Sequence, residues 1–403
     1  MRTLSLCLLA ATTIATPAFA APLSFKPLVD ARLRYEGVDQ EGIVENADAI
    51  TARIRAGGEI KSGPFALLVE GEATLAISEH YNSGVNGKAA YPIVADPENV
   101  ELNRAQIQFT GLPKTIITLG RQRINLDDQR FVGSVGWRDN EQTFDAVRIE
   151  WSGVKNLKAD VTYAWSDRTI WGVDGFGIRP QAISGDNVFA NLSYKHTFGT
   201  LTGFAYLIDQ DEASVQGFRL SSQTFGVRAA GAVPLTKALK LTYAASYAHQ
   251  SDYHRNPNDY SADYYLGELG IEYQAFKLGA GYEVLGADSG TALTSFQTPL
   301  ATLHKFQGWG DKFLTTPPNG IKDLYFTAGY GWKKVGPFDS IGLLASYHDY
   351  RSDRLSLHYG DEINLQLAAK TGKFAFTLKY SDYNAKAFAT DTSKFWASVE
   401  WAF

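Results

Sequence analysis

The stretch 155-KNLKADVTYAWSDR-168 decides the fold. Apolar and polar residues alternate along it, so that Leu157, Val161 and Trp165 share one side of an extended chain while Lys158 and Asp160 share the other. A period of two is the pattern of a β-strand with one apolar and one polar face. Strands in soluble sheets are usually shorter, whereas a tilted strand needs about 9–11 residues to cross a bilayer. The stretch therefore predicts a membrane-spanning strand.

The same alternation recurs along the rest of the chain and predicts eighteen strands, the first over Ser24–Glu36 and the last over Ser393–Phe403. Every other connection is tight, such as Lys61-Ser62-Gly63 and Gly336-Pro337. The connections between them are long and polar, for example Tyr81–Val100, Asn125–Asn140, Thr169–Asp186 and Ala287–Ile321. Short turns at one end and long loops at the other are typical of a bacterial outer-membrane barrel.

A sheet inside a bilayer must pair every backbone group and therefore has to close on itself. The sequence thus predicts an all-β fold, a transmembrane antiparallel β-barrel of about 18 strands with short periplasmic turns and long extracellular loops. Barrels of 16–18 strands enclose an aqueous channel, whereas eight strands leave room only for side chains. We expect a pore, unless loops close it.

The composition excludes several other classes of protein. The 403 residues carry 38 Lys+Arg and 43 Asp+Glu, a formal net charge of −5, and include 21 Tyr, 23 Phe and 8 Trp. A disordered chain is poorer in aromatic residues, and a protein that binds double-stranded nucleic acid usually has a basic excess. One Cys excludes a disulfide scaffold. No apolar run outside the leader reaches the roughly 18 residues of a transmembrane helix.

Residues 1–20 resemble a signal peptide, with Arg2 near the start, an apolar core over Leu4–Ile14 and the small-x-small pattern Ala18-Phe19-Ala20. We expect cleavage after Ala20, which removes Cys7 and leaves residues 21–403 as a single barrel domain. The expected location is the Gram-negative outer membrane.

A run of motifs follows the fourth predicted strand: Gly120-Arg121-Gln122-Arg123-Ile124, then Asp128-Gln129-Arg130-Phe131-Val132-Gly133, then Trp137-Arg138 and Thr143-Phe144-Asp145-Ala146-Val147-Arg148. This run resembles the bacterial alginate-export family of outer-membrane proteins. The C-terminal Phe403, which shares a face with Trp401 and Phe395, resembles the closing strand that the barrel-assembly machinery recognises. The resemblance implies a monomeric eighteen-stranded barrel that passes an anionic polyuronate through an electropositive constriction.

The inward faces, assigned by alternation, carry thirteen Lys/Arg and ten Asp/Glu, so we expect a lumen that leans positive. Rings of Arg and Lys select anions, and the guanidinium fork matches a carboxylate. The candidate lumen residues are Arg32, Arg34, Arg53 and Arg55 on the first two strands, and Arg104, Arg121, Arg123 and Arg148 on strands four to six. The alternative is a ladder of Arg–Glu pairs, such as Arg55 with Glu70 or Glu72, that only braces the wall.

Two features of this set need a structural explanation. Strict alternation places Arg121 and Arg123 with Ile117 and Leu119 on the lipid face, so we expect a bulge, or a position at the water interface, that turns them inward. The loop Ala287–Ile321 is long enough to fold into the pore and constrict it. The candidate constriction residues are Arg130, Arg138 and Trp309.

The alternatives to an anion channel are a general diffusion porin for small hydrophilic nutrients and an outer-membrane enzyme. No G-x-S-x-G motif occurs, and we expect no enzymatic activity. The acidic loops around Asp209–Glu212 and Asp252–Asp263 could hold divalent cations, but ordinary solvated charge explains them as well. We expect no cofactor and no catalytic or metal residues. The expected partners are outer-membrane lipid and lipopolysaccharide, an anionic saccharide or small solute, and the assembly machinery, but not nucleic acid.

Overall fold

The computed structural model describes residues 22–211 and 217–403, so the predicted signal peptide lies outside the described residues. Eighteen strands form one sheet. They are β1 Ser24–Gln40, β2 Ala47–Ser62, β3 Phe65–His80, β4 Asn99–Phe109, β5 Thr115–Gln122, β6 Thr143–Trp151, β7 Leu157–Arg168, β8 Ala182–His196, β9 Gly199–Ile208, β10 Ser222–Pro234, β11 Leu239–Asp252, β12 Ser261–Tyr273, β13 Phe276–Leu285, β14 Ile321–Val335, β15 Phe338–Arg351, β16 His358–Thr371, β17 Phe374–Ala385 and β18 Thr392–Ala402.

Each strand pairs antiparallel with its neighbours in sequence, and β1 also pairs with β18 along Asp30–Gln40. The sheet is therefore a closed barrel without a free edge, which confirms the predicted fold class and strand number. The connections alternate as predicted: two residues, 336–337, join β14 to β15, whereas residues 286–320 join β13 to β14. Among the described residues, no helix is both long and apolar enough to cross a bilayer.

The two faces of the wall differ as the alternation requires. Leu33, Ile54 and Leu75 lie outward on neighbouring strands and are 45%, 48% and 57% exposed, although all three are apolar. These exposed apolar side chains belong to the lipid-facing surface, because apolar side chains on the outside of a barrel contact acyl chains rather than water. The inward residues next to them in sequence, Arg34 and Arg53, are buried.

One predicted boundary differs clearly from the structure. The long connection predicted over Thr169–Asp186 ends earlier, because β8 begins at Ala182. A shift of register between Ala164 and Ser166 lets Ser166–Arg168 pair with Ala182–Ser184. Bulges of this kind are invisible to an alternation rule, because the extra residue breaks the period of two.

Candidate channel constriction

Two long connections of the long-loop end fold into the barrel instead of extending away from it. We call residues 123–142 the first inner loop and residues 286–320 the second inner loop. Val132 forms a parallel bridge with Leu300, and the backbone N–H of Gly133 donates to the Leu300 carbonyl at 2.9 Å. Phe296 and Leu300 are buried. The second inner loop, which the sequence indicates is long enough to enter the pore, thus lies inside the barrel, and the first inner loop joins it.

Apolar packing fills one side of the lumen beneath these loops. Phe131 contacts the rings of Phe204, Tyr206, Tyr264 and Phe296 at centroid distances of 5.1–5.9 Å. The wall residues that contact Phe131 belong to β9 and β12. The inner loops therefore pack against the side of the barrel that the middle strands form. A cavity remains on the side of β1, β2 and β16–β18.

The four candidate arginines of β1 and β2 lie on this side of the lumen and are buried. Arg32 donates from Nε and Nη2 to Asp139 Oδ1 at 2.9 and 2.6 Å. Arg34 donates to Asp96 and, at 2.6 Å, to the carbonyl oxygen of Trp137. We call Arg32, Arg34, Arg53 and Arg55 the arginine wall. The first inner loop and the neighbouring loop 81–98 therefore bind this wall directly.

Arg55 pairs with Glu72 on β3 and donates at 2.8 Å to Glu141 of the first inner loop. The Arg–Glu ladder that the sequence allowed is therefore present at this position. Arg53 differs from the other three. Its Nη2 donates to Asp30, whereas its buried Nε has no hydrogen-bond partner among the described residues.

Asp139 and Glu141 are the functional residues that the sequence analysis missed. Although burial opposes ionisation, the guanidinium groups of Arg34 and Arg32 hold the pKa of Asp139 well below its usual range. Arg55 and Arg123 likewise lower the pKa of Glu141. Their signal in the sequence is the segment Asp139-Asn140-Glu141 directly after Trp137-Arg138, but only the fold brings it to the wall.

The candidate arginines of strands four to six also form ion pairs. Arg104 makes two hydrogen bonds to Glu70, at 2.8 and 2.6 Å, and Arg148 makes two to Asp160, at 2.9 and 2.6 Å. Arg123 lies just past the end of β5 and reaches Glu141 at 2.8 Å. Arg123 therefore enters the lumen network, as expected.

Arg121 does not turn inward, and that expectation is wrong. The pairing of β5 with β4 and β6 continues without a shift, so Arg121 stays on the outward face with Leu119, opposite Ala105 and Asp145. It donates to both carboxylate oxygens of Asp145, at 2.8 and 3.0 Å, and to the carbonyl of Leu102 at 3.0 Å. A local ion pair on the outer face satisfies the guanidinium, so no bulge is needed.

The three constriction candidates occupy the inner loops. Arg130 is buried and donates to Glu283 of β13 at 2.6 Å and to Thr298 at 3.0 Å. Arg138 joins three carboxylates, those of Glu36, Asp96 and Asp311, at 3.2, 3.3 and 2.9 Å. These carboxylates raise the pKa of Arg138 against the effect of burial.

Trp309 is part of an aromatic cluster that the sequence did not reveal. The ammonium of Lys379 lies 3.9 Å from the Trp137 ring centroid, 3.8 Å from that of Trp309 and 5.1 Å from that of Trp396. It also lies 2.8 Å from His304 Nε2. We call Lys379, the three tryptophans and His304 the aromatic cage. The cage joins both inner loops to β17 and β18 through cation–π contacts.

The imidazole of His304 is neutral in the cage. Its ring stacks on Trp137 at 4.6 Å, and Nδ1 lies 2.7 Å from Asp311 Oδ1. Burial lowers the pKa of His304 to about 3, outweighing the opposing effect of Asp311. With the proton on Nδ1, Nε2 accepts from the Lys379 ammonium, so the geometry and the charge state agree.

Two cavities lie on either side of these loops. The inner cavity, of about 560 Å³, is lined by Gly136 at the tip of the first inner loop and by residues of β1, β2 and β16–β18. Its charged lining residues are the cations Arg32, Arg53, Arg55 and Lys370, the carboxylates of Asp30 and Glu400, and Lys373 of the turn after β16, whose ammonium lies over the outward ring of Phe403. Four cations therefore face two carboxylates inside the barrel. The vestibule, of about 730 Å³, lies at the long-loop end.

A group of residues with metal-ligand side chains lies away from the inner cavity, in the loops that the sequence identifies as acidic. Ligand atoms of Asp209, Asp211 and His254 lie within 4.8 Å of one another. His254 Nδ1 is already 2.9 Å from Asp209 Oδ2, and Arg255 pairs with Asp211. The contacts with His254 and Arg255 thus account for the arrangement of the two carboxylates.

Solved structures share this architecture at low sequence identity. OccAB4 of Acinetobacter baumannii superposes with a TM-score of 0.70 at 13% identity, covering 96% of this chain and 100% of its own. OccK9 (OpdG) and OpdK with vanillate, both of Pseudomonas aeruginosa, give TM-scores of 0.71 and 0.70 at 12% and 10% identity, covering 94% of this chain and 98% of theirs. These similarities show the fold.

The comparison with curated protein sequences gives no match. The family model for alginate export matches residues 24–298, which is more than half of the chain and includes both the arginine wall and the first inner loop. The chain therefore belongs to the alginate export family, as an outer-membrane β-barrel channel.

Proposed function

We propose that this channel passes anionic saccharides or similar anionic solutes by passive diffusion. The observation that carries the proposal is the charge of the inner cavity, where four cations, Arg32, Arg53, Arg55 and Lys370, face two carboxylates. Cations that line a narrow aqueous passage replace the hydration of a passing carboxylate. The match to the alginate export family, named for a polyuronate, supports this solute class, as does the bound vanillate of OpdK, which is also a carboxylate.

Arg53 is the residue that we assign to contact the solute. The other three arginines of β1 and β2 each bind two or more acceptors, which include groups of the inner loops and loop 81–98. Among the described residues, Arg53 instead pairs with Asp30 alone, whose side chain is 31% exposed, and its buried Nε has no partner. A guanidinium whose one carboxylate partner is accessible from the cavity can exchange that partner for the carboxylate of a solute.

Planar bilayers under a potassium chloride gradient test the proposal. We expect a zero-current potential whose sign shows that chloride permeates more readily than potassium. We also expect alginate oligomers, but not neutral oligosaccharides, to block the current. Arg53→Gln should reduce both the anion preference and the block. Arg148→Gln is the matched control, because Arg148 is an inward arginine bound to Asp160 and lies outside the inner cavity.

Several results would contradict the proposal. A cation preference would refute anion passage, and equal effects of the two variants would refute the role of Arg53. Openings that alginate oligomers do not change would favour a general diffusion porin for small hydrophilic nutrients. A folded protein that shows no channel openings in the bilayer would refute passive diffusion.

A further inference from the structure

The exposed cations at the two ends of the barrel differ in what they bind. At the long-loop end they have carboxylate partners: Lys88 pairs with Glu79 at 2.8 Å, and Arg351 pairs with Asp349 at 3.1 Å. At the short-turn end, several exposed lysines form no ion pair and no ammonium hydrogen bond with any residue that the structure describes. They are Lys114, Lys155, Lys195, Lys237, Lys333 and Lys334.

The position of these lysines places their charge against one leaflet of the membrane. The short turns of such barrels face the periplasm, so the lysines lie at the level of the inner-leaflet headgroups. Lysines beside a lipid surface attract anionic headgroups. The charge of this rim is therefore available to lipid, because no carboxylate among the described residues neutralises it.

Lys333 and Lys334 are consecutive at the end of β14, next to outward aromatic side chains. Trp332 is exposed on the outer face, and its ring centroid lies 4.5 Å from that of Tyr330. Aromatic residues of this kind mark the boundary between acyl chains and headgroups. The carboxylate of the adjoining strand, Asp339, accepts from the Gly372 N–H at 2.8 Å and pairs with neither lysine. The two ammonium groups therefore lie unneutralised at the boundary.

An apolar groove on the outer face extends from this boundary toward the middle of the membrane. Ala328 of β14 lies opposite Ala345 of β15, and both are outward among larger side chains such as Leu343. The groove has a volume of about 640 Å³, and Phe276 and Tyr330 line it on the side of the short turns. At a rise of about 3.3 Å per residue, Lys333 lies about 10 Å along β14 from Tyr330.

We propose that this groove and the lysine pair bind one anionic phospholipid of the inner leaflet. The groove holds an acyl chain, while Lys333 and Lys334 bind the headgroup phosphate as point charges. A zwitterionic phospholipid fills the groove equally well, but its own ammonium competes for the phosphate. The site therefore favours a lipid with a net negative charge. It lies on the outer face, so it goes beyond the proposed function and does not depend on the solute that passes.

Native mass spectrometry of the full chain in a neutral detergent tests the site. The probes are phosphatidylglycerol and phosphatidylethanolamine with identical palmitoyl and oleoyl chains. Wild type should retain phosphatidylglycerol more tightly. The double variant Lys333→Gln, Lys334→Gln should weaken phosphatidylglycerol binding about tenfold and change phosphatidylethanolamine binding little. Ala328→Leu fills the groove without changing a charge and should weaken both lipids.

The double variant Lys155→Gln, Lys237→Gln is the matched control. It removes the same charge from two exposed lysines at other short turns, which do not line the groove. Equal losses in the two double variants would overturn the local site, because they would show a diffuse attraction to the whole rim. Heat-modifiable migration establishes that each variant is folded.

Three other outcomes would overturn parts of the proposal. Equal retention of the two lipids by wild type would refute the role of charge. Phosphatidylglycerol retention that Ala328→Leu leaves unchanged would refute the groove. Displacement of phosphatidylglycerol by an equal concentration of glycerol 3-phosphate would show that the lysines bind a free phosphate rather than a phospholipid. Lipid retention is measured without ion flow, so none of these outcomes bears on the anion preference of the channel.

Discussion

At the scale of single residues, the partner of each charged group decides its role. Arg34 and Arg53 belong to neighbouring strands and both face the lumen, yet Arg34 is held by Asp96 and the Trp137 carbonyl whereas Arg53 keeps a free Nε. The sequence predicts the inward direction of both, because alternation fixes it. It cannot predict the difference, because the partners come from loops more than sixty residues away in the chain.

The outward pair of Arg121 and Asp145 yields a prediction for stability. Arg121→Leu leaves Asp145 without a partner on the lipid face and should lower the free energy of unfolding by about 1–3 kcal/mol. The double variant Arg121→Leu, Asp145→Leu should recover most of this loss, since both charges are gone. Denaturant unfolding in lipid vesicles measures the effect. A double variant less stable than the single one would contradict this explanation.

The pKa of Lys312 in the second inner loop predicts how the anion preference depends on pH. Burial and the neighbouring Lys394 ammonium lower this pKa to about 8, against the effects of Asp311 and Glu362. The ammonium, which lines the vestibule, is therefore charged at pH 6 and largely neutral at pH 9. We expect the anion preference measured in planar bilayers to weaken as the pH rises from 7 to 9. Lys312→Arg should move this fall to much higher pH, and a flat wild-type profile would contradict the prediction.

At the scale of elements, the two inner loops form one unit that is bonded to the wall at several places. The Val132–Leu300 bridge joins them, Asp139 binds Arg32 and Thr51, and the aromatic cage joins them to β17 and β18. The sequence shows that the second loop is long enough to enter the pore. It does not show that Asp139 pairs with Arg32 and Glu141 with Arg55, because that requires the closed barrel to bring the wall and the loop together.

Asp139→Asn tests this unit through charge. The change removes one negative charge from the passage and weakens the hold on Arg32, so we expect a stronger anion preference and more frequent current fluctuations. Asp186→Asn is the control, because it makes the same change of charge at an exposed residue. Asp186 accepts a hydrogen bond from the Tyr163 hydroxyl on the outward face. Zero-current potentials and current noise in bilayers measure both effects. A weaker anion preference would contradict the assignment.

At the scale of the whole molecule, the sequence predicts the barrel almost completely, since eighteen alternating segments with segregated connections have few other ways to pair. What it does not reveal is how far the lumen is filled. Phe131 packs on residues of β9, β12 and the second inner loop, and these contacts depend on curvature and loop path rather than on local pattern. We further expect a monomer, which mass measurement in detergent will check.

The outward ring of Phe403, next to β18, yields a prediction for assembly. Phe403 is 64% exposed, its N–H donates to the Val29 carbonyl at 2.9 Å, and the Lys373 ammonium lies 3.9 Å from its ring. If the assembly machinery recognises this ring, Phe403→Ala should lower the folded fraction in the outer membrane with little change in stability after purification. The heat-modifiable fraction in cells and unfolding in vesicles measure the two effects. Normal assembly would refute the recognition.

The aromatic cage has an optical consequence. Trp137 and Trp396 lie 5.9 Å apart at an interplanar angle of 79°, one on the first inner loop and the other on β18. The electronic transitions of two indoles this close mix, and the mixed transitions absorb left- and right-handed light unequally. Displacement of the loops from the wall separates the chromophores and removes this signal. The protein thus carries a built-in spectroscopic reporter of the position of its inner loops, readable without any attached dye.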